Sequence, residues 1–559
     1  MRGFLTGFFL LVCLFSEERS LAAGLRAGAA VVDITPREVP VIVNGGFLSR
    51  EVRIILDRLS CRSIALSSKG ETIVIAVVDN CMIPTELCDE AKRLAAAKIG
   101  ISPEKILICA THTHSAPSVM DLCLGTDLDQ KYTAFLPGRI AQSIVQAHGA
   151  MRPARAGWTV FDGSKFTKPR RWVLWPGNGV DPFGNKTIRA NMHPGYQNPA
   201  STGESGPTDP WFTLFSVVSL DGIPLALLGN FAMHYFSGHA GISADYFGKY
   251  CRELTQRSGS KENTYVVALS QGTSGDVWRA DYRKSRGQSE ISMKDYVAGL
   301  ADLTEQALAN IEYHDDLPLK MEEVRMTIKR RAPDSKRLEW ARAVVSKTPD
   351  GKPRNRAEVY ARQAIHLHEQ PEAEVVLQAI KAGDFCITAM PNEVYALTGL
   401  KLKALSPITT TMNIELANGA EGYIPPAEQY FLGGYTTWPS VTAGLETAAE
   451  GKITSTLLDM LEGLSGKKRK TYFEPRGNFA RAIERMRPLK IWPLGGLEPG
   501  KDFEPGILCH LPGVSGAGFP DEHKSRSAHF AGGRVVTEAN VGDEYSVSLW
   551  FWNGLRTDA

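Results

Sequence analysis

Apolar and polar positions along this chain switch repeatedly between two spacings. Residues 63–67 and 71–79 alternate at strand period and predict two paired strands, while 105–110 and 265–269 are short apolar runs that predict buried strands. Residues 212–220 and 223–233 flank Asp221-Gly222, a strong short-range hairpin signal. Further strands are predicted over 324–331, 385–390 and 411–416. Helical spacing occupies 85–98, 139–151, 293–311, 335–346, 356–368, 394–405 and 441–464. This interleaving predicts an α/β fold with mixed β-sheets and flanking helices.

The two ends follow other rules. Met1-Arg2-Gly3, an apolar stretch over 4–15 and a small-residue finish at Ala22-Ala23 read as a secretory signal peptide over 1–23, so export to the periplasm, cell surface or medium is expected. After 24–464, the basic run Lys467-Lys468-Arg469-Lys470 opens an expected linker over 465–485. Residues 486–559 are rich in Gly and Pro and finish in a stretch, 544–552, that alternates like a sandwich strand. That segment resembles the opening of a laminin G-like, concanavalin-type jelly roll and stops short of a full one. A glycan is the partner this resemblance implies.

Charge adds an exclusion. Lys and Arg total 63 against 61 for Asp and Glu, so nothing global points to nucleic acid. Eight cysteines follow the signal segment at irregular spacing without a C-x-x-C, which predicts buried thiols with one or two disulfides that export would permit.

Candidate chemistry collects where predicted strands end. The apolar run ending at Ala110 leads into "THTHSAP", with His112 and His114 two positions apart. On extended backbone such residues point the same way about 7 Å apart, which lets both face one cavity without ensuring that both bind one ion. A metal site, half of an acid/base pair and a polar loop all remain open, since zinc needs three or four ligands. The run before His234, the strand before Pro391-Asn392-Glu393 and the strand before Glu421-Gly422-Tyr423 offer further donors.

Six stretches in this order, "AGAAVVDITP", "THTHSAP", "NFAMHYFSGHAGISADYFGKY", "SQGTSGDV", "MPNEVYALTGLKLK" and "GYIPPAEQYFLGGY", resemble the N-terminal catalytic domain of neutral/alkaline non-lysosomal ceramidases. The resemblance implies a zinc amidase that splits an N-acyl lipid such as ceramide. It implies His112, His234, Glu393 and Tyr423 as zinc ligands, His114 as the proton carrier, and Arg170 and Tyr435 as groups facing the substrate. Arg171 is the reserve for Arg170, because the family's Asn-Arg pair is replaced by Pro169-Arg170-Arg171. Asp245 is expected to orient His234.

Three departures stand out: Tyr235 where the family has Pro, Asn392 where it has Gly, and Trp278 where it has Ser. The last leaves no serine nucleophile in that slot. Ser270 to Asp276 is expected to line the site with backbone groups. The competing readings are a hydrolase of another N-acyl or ester substrate, and a secreted glycan-binding protein with a vestigial zinc site.

Overall fold

The computed structural model describes residues 24–470, 478–491, 507–509, 528–530 and 540–549. The signal peptide expected over 1–23 lies outside them, as does most of the segment expected to be β-rich.

Eight strands, β1 (Arg26–Asp33), β2 (Ser60–Ser68), β3 (Glu71–Val78), β4 (Ile106–Ala110), β5 (Arg152–Asp162), β6 (Trp211–Ser219), β7 (Pro224–Phe231) and β8 (Val266–Gln271), form one sheet. Its order is β8-β7-β6-β5-β1-β2-β3-β4. The inner pairs are antiparallel, and the outer pair at each edge, β7/β8 and β3/β4, is parallel. A second sheet, β9 (Leu319–Lys329), β10 (Glu372–Ala382), β11 (Phe385–Ala389) and β12 (Thr410–Ile414), is antiparallel except for β11/β12.

The two sheets bury their facing sides against each other. Ile73, Ile75 and Val77 of β3 share one core with Ile380, Phe385, Ile387 and Ile414 of the second sheet. The alternate residues Val74, Ala76 and Val78 pack instead on α1 (Thr85–Ile99) and α2 (Gln130–Gly149). That two-sided burial is why these strands read as unbroken apolar runs. Over β6 to β8 the outer face meets α3 (Asp245–Arg257) and α4 (Met293–Leu308). Two charged helices, α5 (Ser335–Val345) and α6 (Arg356–Glu369), pair with each other through Ala341, Ala361 and Ala364. The second sheet is covered by α7 (Ala396–Leu405) and α8 (Ala449–Ser465) through Leu402, Ile453, Leu457 and Leu461. Helices thus lie outside and sheets inside, the mixed α/β arrangement expected from the pattern.

Several boundaries differ for physical reasons. Helix α2 begins at Gln130 rather than near 139, capped by the Asp129 carboxylate, which accepts from Tyr132 N at 3.1 Å. Pro137 lies inside it and removes one backbone donor, and the burial of Leu136, Pro137 and Ile140 offsets that cost. Strands β5 and β10 escape the pattern: β5 carries Pro153 and Gly157, and β10 reads "EAEVVLQAIKA", a composition that favours helix until partners on both sides pair it. The helix expected over 441–464 starts at Ala449, after a single 3₁₀ turn, Val441–Ala443.

Cys61, Cys81, Cys88, Cys109, Cys123, Cys251 and Cys386 are buried free thiols, so none of them forms an expected disulfide. No helix among the described residues is long and apolar enough to cross a membrane.

In the tail, the expected linker contains a short helix, Asn478–Arg485, and Ile507–Cys509 pairs antiparallel with Ala528–Phe530. The described part of the expected sandwich strand, 544–549, is exposed and carries no ladder. Arg469 Nε donates to Glu462 at 2.7 Å and Lys470 N to Leu405 O at 2.8 Å, and further on Ile507–Cys509 comes up against the 3₁₀ turn Ala427–Leu432. Both large sheets and the helices that cover them lie before Lys470, so a chain ending there is expected to keep one cooperative thermal transition by circular dichroism. Aggregation or a broadened melt would show that later residues complete the core.

Candidate metal centre

All the parallel strand pairs run their carboxyl ends to one place. The chain leaving β4 reaches His112, that leaving β7 reaches His234, β8 leads to Ser274, β11 to Glu393 and β12 to Glu415. The stretch after β12 crosses between sheets: Glu415 N donates to Gln271 O at 3.1 Å, and Ala110 N donates to Leu416 O at 3.0 Å. Groups far apart in sequence therefore converge without any helix or loop having to reach for them.

His112 has φ +73, a left-handed conformation uncommon for a residue with a β-carbon. Two bonds hold it there. Its amide donates to Asn80 O at 2.9 Å, and its Nδ1 donates to Cys81 O, also at 2.9 Å. The carbonyl can only accept, so Nδ1 keeps the proton and Nε2 presents a lone pair. That Nε2 lies 3.0 Å from His234 Nε2, 3.2 Å from His114 Nε2 and 3.3 Å from Glu393 Oε2. The donor atoms of His112, His234 and Glu393 lie within 4.8 Å of one another, and all three side chains are buried. His234 Nε2 to Glu393 Oε2 is 3.8 Å.

Three imidazole nitrogens and a carboxylate oxygen facing one point is a costly arrangement for the protein alone. Glu393 Oε2 is buried and has no hydrogen-bond partner. Burial first, then Arg170 and His112, holds His234 well below the ordinary imidazole range. Burial, His112 and Arg170 do the same to His114. The His234 and His114 rings therefore stay neutral and cannot neutralise the carboxylate as protonated imidazoles would. The donor set fits a divalent cation, with nitrogen and oxygen ligands suited to zinc.

The surrounding residues define an inner wall. Glu393 pairs with Tyr423 in a parallel bridge, which brings the phenol beside the carboxylate. Burial, then Glu393 and Tyr435, raises Tyr423 well above the ordinary phenol range. Arg170 is 1% exposed, and its Nη2 donates to Tyr423 OH at 3.1 Å and Gly275 O at 2.8 Å. Burial works against its charge, and Tyr435, Tyr423 and Glu393 more than restore it. Tyr435 is half-buried and meets Tyr423 edge to face, with centroids 5.8 Å apart. Arg171 points elsewhere, to the Gln429 side chain and Gly433 O. Of the two arginines, only Arg170 reaches this cluster.

Asp245 does not orient His234. Its carboxylate accepts from Phe236 N at 2.9 Å and Tyr246 N at 2.6 Å, closing the loop behind the histidine. His234 Nδ1 faces Ser274 Oγ at 3.2 Å instead. The loop from Ser270 to Asp276 thus contributes a side chain as well as the Gly275 carbonyl.

Four participants were not anticipated. Gly45, at φ +91, lies against the His114 ring, and a Cβ there would sit 2.3 Å from His114 Cγ. Tyr235 stacks on that ring, with centroids 3.7 Å apart. His193 donates its amide to Arg170 O at 2.8 Å, contacts Tyr282 OH through Nδ1 at 2.6 Å, and is pushed down to about 3 by burial, Arg170 and Arg279. Glu415 is fully buried behind Ser274. Only the glycine's neighbours, Asn44 and Gly46, carried a turn signal.

Against solved structures, the chain is similar to neutral ceramidase from Pseudomonas aeruginosa. The TM-score is 0.57 at 16% identity, over 81% of this chain and 76% of that one. A second solved structure, a ceramidase complexed with C2, gives 0.58 at 15% identity over 81% and 77%. The fold is that of a neutral ceramidase. No family model and no curated protein sequence matches the chain.

Within this fold, the departures noted in the sequence lie around the His112, His234 and Glu393 cluster. Trp278 Nε1 donates to Tyr235 O at 2.6 Å, so the residue in the serine slot holds the residue that stacks on His114. Asn392 Nδ2 donates to Gly422 O at 3.2 Å, next to Tyr423.

Proposed function

We propose that this chain is an exported, zinc-dependent amide hydrolase of the neutral ceramidase type, cleaving ceramide or a related N-acyl lipid. The observation that carries the reading is the convergence of His112 Nε2, His234 Nε2 and the orphaned Glu393 Oε2 at strand ends of a ceramidase fold. Export rests on the sequence pattern of 1–23 alone.

His112, His234, Glu393 and Tyr423 would hold the cation. Zinc, when bound, supplies Lewis-acid polarisation of the amide carbonyl and lowers the pKa of water towards neutrality. His114, outside the three-residue cluster but 3.2 Å from His112 Nε2, takes a proton from the attacking water at its Nε2 and returns it to the leaving amine nitrogen. Its neutral resting state suits a base. Arg170 donates to the carbonyl oxygen as negative charge grows there, and Tyr435 adds a phenol from the half-exposed side. Trp278 stands in the serine slot and donates to Tyr235 O, so that position offers no hydroxyl nucleophile.

Elemental analysis of the purified protein, paired with hydrolysis of a panel of N-acyl amides with and without a chelator, tests this. About one zinc per chain and chelator-sensitive amide cleavage are expected, and His234→Ala is expected to lose most of the metal. Stoichiometric zinc in that variant would remove His234 from the ligand set, and ester cleavage without amide cleavage would reassign the substrate.

A further inference from the structure

Glu415 sits where the two sheets meet, just after β12, and is fully buried. Both of its oxygens are engaged. Oε2 accepts from Val394 N at 2.6 Å and Ser274 N at 3.2 Å, and Oε1 faces Ser274 Oγ at 2.5 Å. Val394 directly follows Glu393 in the chain, and Ser274 Oγ is the partner of His234 Nδ1 at 3.2 Å. One carboxylate therefore touches the supports of two candidate ligands.

With Glu415 ionised, proton accounting around Ser274 gives a direction. Gln271 Nε2 lies 3.0 Å from Met233 O, which can only accept, so this end of the amide is the donor. The same nitrogen lies 2.5 Å from Ser274 Oγ and donates to it. Burial raises Glu415 well above the ordinary carboxylate range, while the Ser274 hydroxyl and the Val394 and Ser274 amides all donate to it and favour the charged form. As that carboxylate it only accepts, so the serine's own proton goes to Glu415 Oε1. What remains on Ser274 Oγ for His234 is a lone pair. His234 Nδ1 must then carry the imidazole proton, which leaves Nε2 bare towards Glu393 and His112.

We infer that Glu415 is a positioning residue: through Ser274 it holds His234 in the Nδ1–H tautomer, and through the Val394 amide it fixes the backbone that presents Glu393. The inference rests on the metal-site reading above. His112 obtains the same tautomer from a backbone carbonyl, so the two histidines are set by different devices.

Glu415→Gln separates this role from packing, because the side chain keeps its shape. The glutamine oxygen can keep the Val394 and Ser274 amide bonds, while its nitrogen donates to Ser274 Oγ. The serine proton is then turned onto His234 Nδ1, and the imidazole proton moves to Nε2, where it blocks a ligand position. Nitrogen-15 NMR of the histidine rings in the metal-free full chain should show Nδ1–H for His234 in the parent and Nε2–H in E415Q. Zinc affinity by chelator competition should fall roughly 10- to 100-fold in E415Q. Ser274→Ala, which leaves the ring without a director instead of misdirecting it, should lose less. A parent Nε2–H tautomer, or an E415Q protein that keeps Nδ1–H and the parent's affinity, would overturn the inference. If E415Q does not fold, the parent tautomer and a weakened S274A decide it. A parent that binds no zinc would overturn the metal reading, and the metal-free NMR would still decide the role of Glu415.

Discussion

His112→Ala is expected to lose both zinc and turnover, whereas His114→Ala should keep zinc and lose about 10² to 10⁴ in rate. The asymmetry follows from the geometry. His112 Nε2 is the centre of the cluster, within 3.3 Å of His234 Nε2, His114 Nε2 and Glu393 Oε2; Asn80 O holds its left-handed backbone and Cys81 O its ring. Removing it takes the central nitrogen from the four proposed donors and leaves only one imidazole, His234, with Glu393 and Tyr423. His114 is not one of the fully buried trio His112, His234 and Glu393, although it also lies within ligand distance of Cys81 and His112. Its loss therefore opens space beside Gly45 and Tyr235 without removing a donor from that trio. Metal content by elemental analysis and kcat on an amide substrate read the two effects separately. A base acts only while neutral, and burial, His112 and Arg170 hold His114 below the ordinary imidazole range. Activity should therefore fall as pH drops below that range, and this acidic limb should disappear in H114A. Equal zinc loss in both variants would make His114 a ligand.

The sequence carried the strands and helices where one physical signal dominated. Apolar runs at β3, β4, β8 and β11 were legible because both faces are buried, and the Asp221-Gly222 turn marked the β6/β7 hairpin. β10 was not legible, since Glu, Ala and Lys there favour a helix and only pairing with β9 and β11 overrides that preference. At the centre, the motif order pointed to His112, His114, His234, Glu393, Tyr423, Arg170 and Tyr435, and the structure brings these together. What holds them was hidden. Ser274 and Glu415 are 141 positions apart and meet only because β8 and β12 end at the same point, so no local spacing could link them. Asp245 was misassigned for a related reason: it is near His234 in sequence, yet helix α3 turns its carboxylate back onto the Phe236 and Tyr246 amides.

Gly45→Ala, far from any ligand in sequence, should be nearly as damaging to turnover as loss of His114. The residue combines two restrictions that usually occur apart. Its φ of +91 lies where a side chain is strained, and the space a methyl would need is already filled by His114 Cγ at 2.3 Å, Nδ1 at 2.5 Å and Cβ at 2.6 Å. Tyr235 stacks on the imidazole with centroids 3.7 Å apart, and Trp278 holds the Tyr235 backbone, which limits where the ring can go. Either the 44–47 turn lifts away or His114 swings off the line to His112. A shift of about 1 Å at a proton-transferring group costs on the order of 10² in rate. The ligands are untouched, so zinc content should match the parent, and kcat should fall while the chelator titration does not change. A G45A protein with parental kcat would mean that the turn absorbs the methyl without moving the ring. One that lost zinc would place the 44–47 turn in the support of His112 itself.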